Sequence, residues 1–292
     1  MDLLTAIQHA LPKHLISRFA GWLSATPIPI FTPLFIRAFA RLFHIDMGEA
    51  RDQAFSSYAT FNAFFTRQLQ DGSRPIDPDP KSVACPADGV ISEIGYAKDG
   101  QLIQAKGRNY GVAELLGEQT LDPNFEAASF ITVYLSPRDY HRFHMPIDAT
   151  LQAIRHIPGD LFSVNQRTAA TLSNLFARNE RIVARFSAAV GDFAFVAVGA
   201  LCVGGIEFKL SDSDRFGNVG ADPKIDSQQS DLNLAFTKGD ELGRFLMGST
   251  VIIIGANEIF RWRNDLRAGT PVQVGKKLGM FGAVTPPHSE GE

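Results

Sequence analysis

Leu4, Ile7, Leu11, Leu15, Phe19 and Trp22 recur at steps of three or four, which predicts one apolar helix face at the start of the chain. A second helix is predicted after Pro27, Pro29 and Pro33, carried by Leu34, Phe35, Ala38, Phe39, Leu42 and Phe43. The uncharged stretch between Arg18 and Arg37 contains those prolines together with Gly21, Ser24 and Thr26, so it does not read as a membrane-spanning helix. A third helix is expected from Thr60 to Leu69, with Thr60 as N-cap ahead of Phe61, Phe64 and Phe65. The run Asp71-Gly72-Ser73-Arg74-Pro75, followed by Pro78 and Pro80, then marks a boundary.

Beyond Val83 the pattern shortens to strands, punctuated by Gly, Pro, Asp and Asn. The expected strands are Val90–Ile94, Gln101–Ala105, Phe130–Leu135, Leu151–Ile157, Arg181–Phe186, Phe193–Val198, Cys202–Phe208 and Val251–Ile254. Helical patches are few, at Val112–Leu116 and Thr168–Ala177. The fold class is therefore α+β, mainly an antiparallel β sandwich or partly closed barrel behind an N-terminal helical layer. Residues 1–70 are expected to form an amphipathic, membrane-associating segment and residues 71–292 a β-rich domain.

The chain has 292 residues, 45% of them hydrophobic, enough for a sizeable core. A formal charge of −3 supplies no basic field, which argues against nucleic acid as a partner. Cys85 and Cys202 stand far apart and outside any CxxC pattern, so they read as small core residues of a reducing compartment. No secretory signal is expected, because polar residues interrupt the first apolar face. The charge is uneven, however. Between Asp2 and Asp46 there is no acidic residue, while Lys13, Arg18, Arg37 and Arg41 are basic. With Trp and Phe on the apolar faces, this predicts helices lying in an anionic bilayer interface. The alternative is a helical cap packed on the domain.

Three segments could carry chemistry. Gly248-Ser249-Thr250 precedes the apolar run Val251–Ile254, and such a serine either satisfies a turn or acts as a nucleophile. It lacks the Gly-x-Ser-x-Gly frame of a hydrolase elbow, since Val251 stands where the second glycine belongs. In SPRDYHRFHMP (Ser136–Pro146), His141 and His144 could transfer protons or be turn residues packed on arginines. A metal site would need further ligands, and no other His or Cys has the spacing for one. Asp88, in Pro86-Ala87-Asp88-Gly89, is turn chemistry on its own, but beside a base and a serine it would be an orienting acid.

FNAFFTRQL, PADG, QAKG, SPRDYHRFHMP, PGDLFSVN and KGDELGRFLMGSTVI occur in this order from Phe61 onward, and together they resemble the phosphatidylserine decarboxylase family of prokaryotic type, a group of pyruvoyl-dependent enzymes. The resemblance implies self-cleavage between Gly248 and Ser249. Ser249 would attack the Gly248 carbonyl in an N-to-O acyl shift, and elimination would leave a long N-terminal (beta) chain and a short C-terminal (alpha) chain headed by a pyruvoyl group. Asp88, His144 and Ser249 would form the triad for this step, with Asp88 holding the imidazole and His144 acting as base. His141 would handle protons or position substrate during decarboxylation. Phosphatidylserine would join the pyruvoyl group through a Schiff base and leave as phosphatidylethanolamine and carbon dioxide, with neither pyridoxal phosphate nor a metal.

The two chains would stay together as a heterodimer, which could itself dimerise, on the cytoplasmic side of the cell membrane. Met247 stands where many members have leucine, and Gly205 where they have serine, so Gly205 is given no substrate contact. The same chemistry on a soluble amino acid, or a serine hydrolase that keeps Ser249 intact, would be the alternatives.

Overall fold

The computed structural model describes residues 13–105, 107–200, 205–211, 214–217, 227–246 and 249–282. The first predicted helix is present as α1 (Lys13–Ala25), and the second as α2 (Phe31–Leu42). The break between them falls at the prolines, where Ile30 adopts a positive φ of 68°. The third helix, α3 (Phe61–Phe65), is shorter than expected. Thr60 caps it as predicted, its side chain accepting from the Ala63 N–H. It ends at Thr66 because Leu69 leaves to bridge Ala50 in extended pairing. Ile36 and Ala40 of α2 pack with Tyr58, Phe61, Phe64 and Phe65 in a small core of their own. The outer faces are bare: Phe19, Trp22, Ile30, Leu34 and Leu42 are all exposed. No helix among the described residues is long and apolar enough to cross a membrane.

The strands follow as β1 (Ser82–Ala84), β2 (Gly89–Tyr96), β3 (Gln101–Ala105), β4 (Arg108–Gly111), β5 (Ser129–Leu135) and β6 (Arg142–His144). Next come β7 (Ala149–Ile157), β8 (Arg181–Ala188), β9 (Gly191–Val198), β10 (Ile206–Lys209) and β11 (Arg215–Gly217). The last are β12 (Ser227–Phe236), β13 (Glu241–Phe245), β14 (Ser249–Gly255), β15 (Phe260–Trp262), β16 (Pro271–Val272) and β17 (Lys277–Phe281). Short helices α4 (Val112–Leu116), α5 (Gln166–Thr171) and α6 (Leu175–Arg178) interrupt them.

An eight-stranded antiparallel sheet, ordered β12-β7-β8-β9-β14-β5-β2-β16, is the frame. Its centre is buried on both faces, which is why β5, β9 and β14 read as nearly continuous apolar runs. Alternation sorts these runs into two cores. Val251 and Ile253 pack with Phe143, Phe195 and Phe208, under the four-stranded sheet β11-β10-β13-β6 and the three-stranded sheet β1-β17-β15. Ile252 and Ile254 pack on the other face with Phe162, Leu175 and Phe176. The fold is thus α+β and mainly antiparallel, as expected. The alternative of a partly closed barrel is corrected, because β12 and β16 end the large sheet as edges.

The expected helix Thr168–Ala177 is split into α5 and α6, and the cause is one buried side chain. Gln104 of β3 donates to the carbonyls of Ala169 and Leu172 and accepts from the Leu175 N–H, replacing the helical bonds there. The expected strand from Cys202 is described only as β10, since residues 201–204 lie outside the described residues.

Candidate active site

The PADG turn places Asp88 just ahead of β2. Gly89, at φ 156°, allows that strand to close on β5, because a Cβ there would sit 2.2 Å from the Tyr134 carbonyl oxygen. Asp88 is buried and fully engaged. Arg74 Nε donates to both its oxygens at 3.0 and 2.9 Å, and Arg74 Nη2 donates to Oδ2 at 2.6 Å. The Val274 N–H adds a bond of 2.8 Å to Oδ1. The same guanidinium grips Glu49 through Nη1 at 3.1 Å and Nη2 at 2.7 Å, so one arginine bridges two carboxylates.

His144 closes β6, and its N–H donates to the Pro86 carbonyl at 2.8 Å, which sets the imidazole beside the Asp88 turn. The ring's Nδ1 lies 2.9 Å from the Gly239 carbonyl oxygen. A carbonyl only accepts, so Nδ1 carries the proton and Nε2 presents its lone pair. Tyr140 stacks beside the ring at 5.7 Å, and its hydroxyl reaches Nε2 at 3.3 Å. Burial pulls the imidazole pKa below its ordinary value, partly opposed by the Gly239 hydrogen bond, so the ring is neutral near pH 7. Burial likewise pushes the Tyr140 phenol up, so it remains protonated.

Gly239 is itself held fast. Its N–H donates to the Met145 carbonyl, the Met145 N–H donates to the Asp240 carbonyl, and its φ is 93°. The orienting group for His144 is therefore this main-chain carbonyl. The expected bond from Asp88 to the imidazole is not formed, because Arg74 and Val274 occupy the carboxylate; Asp88 acts on the ring only through its charge.

His141 is fully buried, with its ring 3.9 Å from that of Phe65. Nδ1 donates to the Asp139 carbonyl at 2.8 Å, while Nε2 has no hydrogen-bond partner among the described residues. Burial lowers its pKa to about 3, with the Asp139 bond opposing and the Arg67 charge assisting. In this arrangement the ring is neutral at neutral pH, with its one proton on Nδ1 and burial opposing a second on Nε2. Its carbonyl accepts from the Phe245 N–H, tying it to the strand that leads toward Ser249.

Ser249 opens β14 with its backbone paired to Leu135, and the next residue, Thr250, sits between Tyr134 and Val198. Gly248 lies outside the described residues. The Thr250 hydroxyl is buried, with no hydrogen-bond partner among the described residues. The structure thus gathers Asp88, His144 and His141 around Tyr140 and the Ser136–His141 loop, which runs on from Leu135, the pairing partner of Ser249.

Sequence reasoning missed Gly239, Arg74 and Glu49. Gly239 lay within KGDELGRF, and a Lys-Gly-Asp turn was its only trace. Arg74 lay in a segment read as a boundary.

Residues 61–280 match the family described as phosphatidylserine decarboxylase, and residues 3–44 match one described as PSD. The chain belongs to the phosphatidylserine decarboxylase family. It is accordingly a decarboxylase, a carboxy-lyase. Proteins named phosphatidylserine decarboxylase proenzyme resemble it along nearly their whole length. That of Psychrobacter cryohalolentis is 43% identical over 284 residues, covering 96% of this chain and 99% of its own. That of Methylococcus capsulatus is 44% identical, covering 95% and 96%. That of Acinetobacter baumannii is 42% identical, covering 95% and 96%. The family match starts at α3 and ends within β17, so it includes every side chain of the cluster around His144 except Glu49.

Proposed function

We infer that the chain is a proenzyme that cuts itself between Gly248 and Ser249 and then converts phosphatidylserine to phosphatidylethanolamine and carbon dioxide. The observation that carries this reading is the neutral His144, its Nδ1–H fixed on the Gly239 carbonyl and its Nε2 left as a base. In the proposed cleavage, the Ser249 hydroxyl gives its proton to Nε2 and attacks the Gly248 carbonyl carbon. The C–N bond breaks, the amine takes up the proton, and an ester joins the two residues. Loss of the Ser249 α-proton then expels Gly248 as a carboxylate and leaves a dehydroalanine, whose imine tautomer would take up water and release ammonia to become a ketone.

A pyruvoyl group formed from Ser249 would supply an electron sink for decarboxylation of an amine-bearing acid. Next to that position this chain offers the buried Thr250 hydroxyl, which has no hydrogen-bond partner among the described residues and could donate to a carbonyl oxygen. Tyr140 keeps its phenolic proton, and the His141 ring is neutral, so the site adds no fixed charge of its own at that point.

The names of the relatives support the substrate and the cleavage. The exposed Phe19, Trp22, Ile30, Leu34 and Leu42, in a stretch that carries basic but no acidic residues, support a peripheral seat on the cytoplasmic face of the cell membrane. On this reading residues 1–70 attach the enzyme to lipid and residues 71–292 perform the chemistry, with both cleaved chains retained in one fold.

Denaturing electrophoresis and intact mass test the proposal. Wild type should give two chains, the shorter with a pyruvoyl rather than a serine end, and Ser249→Ala should give one. A wild-type protein that remains a single chain, or that leaves phosphatidylserine unchanged after cleavage, overturns it.

A further inference from the structure

A cavity of about 280 Å³ opens between the helical layer and the sheet, lined by Arg67, Arg74, Arg138, Asp139, Tyr140 and Asp88 among others. It lies beside the Ser136–His141 loop, so it belongs to the same site. Arg67, from the FNAFFTRQL segment, is the cation that the rest of the site does not explain. It is only 4% exposed, yet its Nε and Nη1 find no partner among the described residues. Nη2 makes one long bond, 3.4 Å, to the Arg138 carbonyl, and the guanidinium lies 5.6 Å from the centre of the Phe64 ring.

The acids around the cavity are already spoken for. Asp88 and Glu49 share Arg74, Asp139 accepts from Ser136 and lies near Arg138, and Asp46 accepts from the Gly48 N–H. A buried guanidinium with two open donor edges and no carboxylate costs the free protein stability, since both charge and donors have been taken from water. Such a cost persists where a ligand offsets it.

We propose that Arg67 is the receptor for the phosphodiester oxyanion of the lipid headgroup, bound in this cavity; the proposal rests on the decarboxylase reading above. The choice of phosphate over carboxylate follows from the chemistry. An arginine clamped on the substrate carboxylate would stabilise the very charge that must disappear as carbon dioxide leaves, and would raise the barrier. The phosphodiester keeps its charge from substrate to product, so holding it costs the chemical step nothing. Arginine also matches the two equatorial oxygens of a phosphodiester with two parallel donors.

The test compares wild type, Arg67→Gln and Arg67→Lys. All three should cleave themselves. In mixed micelles the KM for phosphatidylserine should rise about tenfold or more in Arg67→Gln, with kcat falling much less, and Arg67→Lys should lie between. Thermal melting gives the second readout. Glycerophosphocholine, which carries the phosphodiester but neither a carboxylate nor an amine able to condense, should raise the Tm of wild type and not of Arg67→Gln. N-acetylserine, which carries only the carboxylate, should raise neither. Without ligand, Arg67→Gln should melt at or above wild type, as removal of an unpaired buried charge requires.

An unchanged KM in a folded Arg67→Gln, or protection by N-acetylserine but not by glycerophosphocholine, overturns the proposal. Should Arg67→Gln not fold, Arg67→Lys carries the same comparison, and an unchanged KM and protection there overturn it equally. Absence of cleavage or decarboxylation in wild type would defeat the functional reading instead, and the glycerophosphocholine comparison would still decide the anion site.

Discussion

The imidazole of His144 is oriented by a glycine. Its Nδ1 lies 2.9 Å from the carbonyl oxygen of Gly239, which leaves Nε2 as the unprotonated nitrogen, facing the Tyr140 hydroxyl at 3.3 Å. Replacing His144 by Gln keeps a donor for that carbonyl and removes the base. Self-cleavage should slow by about 10²–10⁴-fold, the ordinary worth of a positioned general base, while the melting temperature changes little. Time courses of the two-chain product on denaturing gels measure the rate.

Arg74 joins Asp88 to Glu49, and losing it would strand a buried carboxylate. Arg74→Ala leaves Asp88 with only the Val274 N–H. Breaking a buried pair from one side costs about 3–5 kcal/mol. The lower end is expected here, because the Glu49 side chain is 41% exposed and falls back on water. Urea unfolding should show a lower midpoint with an unchanged slope, and Arg74→Ala combined with Asp88→Asn should recover part of the loss.

His141 predicts a pH dependence. Its pKa in the fold is about 3, below the 6.5 of an unperturbed imidazole. The unfolded chain therefore takes up a proton near pH 6.5 while the folded one refuses it. The contribution is whole above pH 6.5 and is lost progressively as pH falls toward 3. His141→Asn should flatten the stability profile in that window and leave it unaltered above pH 7. Denaturation midpoints across the range check this.

Trp22 and Leu34 are both exposed on the helical layer. Trp22→Glu with Leu34→Glu should cut binding to anionic vesicles by about tenfold or more, since two buried apolar side chains are lost and two negative charges gained. Cleavage should be unaffected, because neither residue belongs to the core with Phe61 and Phe65. Vesicle flotation reports the first effect and electrophoresis the second.

The central strands were legible because burial on both faces demands apolar residues at every position. β3 and α4 even have the bounds expected from Gln101–Ala105 and Val112–Leu116. The edge strand β12 was not legible. Its residues Gln228 to Asp231 face solvent, so no alternation betrays it. Asp88, His141 and His144 could be named from residue type and motif, and the structure sets them near one another. The partners of Asp88 and His144 could not be named. The Gly239 carbonyl has no side chain to announce it, and Arg74 meets Glu49 from 25 positions along the chain.

The helical layer is wired into β6 as well as laid upon it. Arg142, two residues before His144, donates from Nε to the Thr66 carbonyl at the end of α3 and from Nη1 to Glu241, while Phe65 covers the His141 ring. Deleting the first seventy residues would therefore uncover both His141 and the Arg142 guanidinium. Any change to the surface of this layer belongs on the exposed apolar positions of α1 and α2, with α3 left in place.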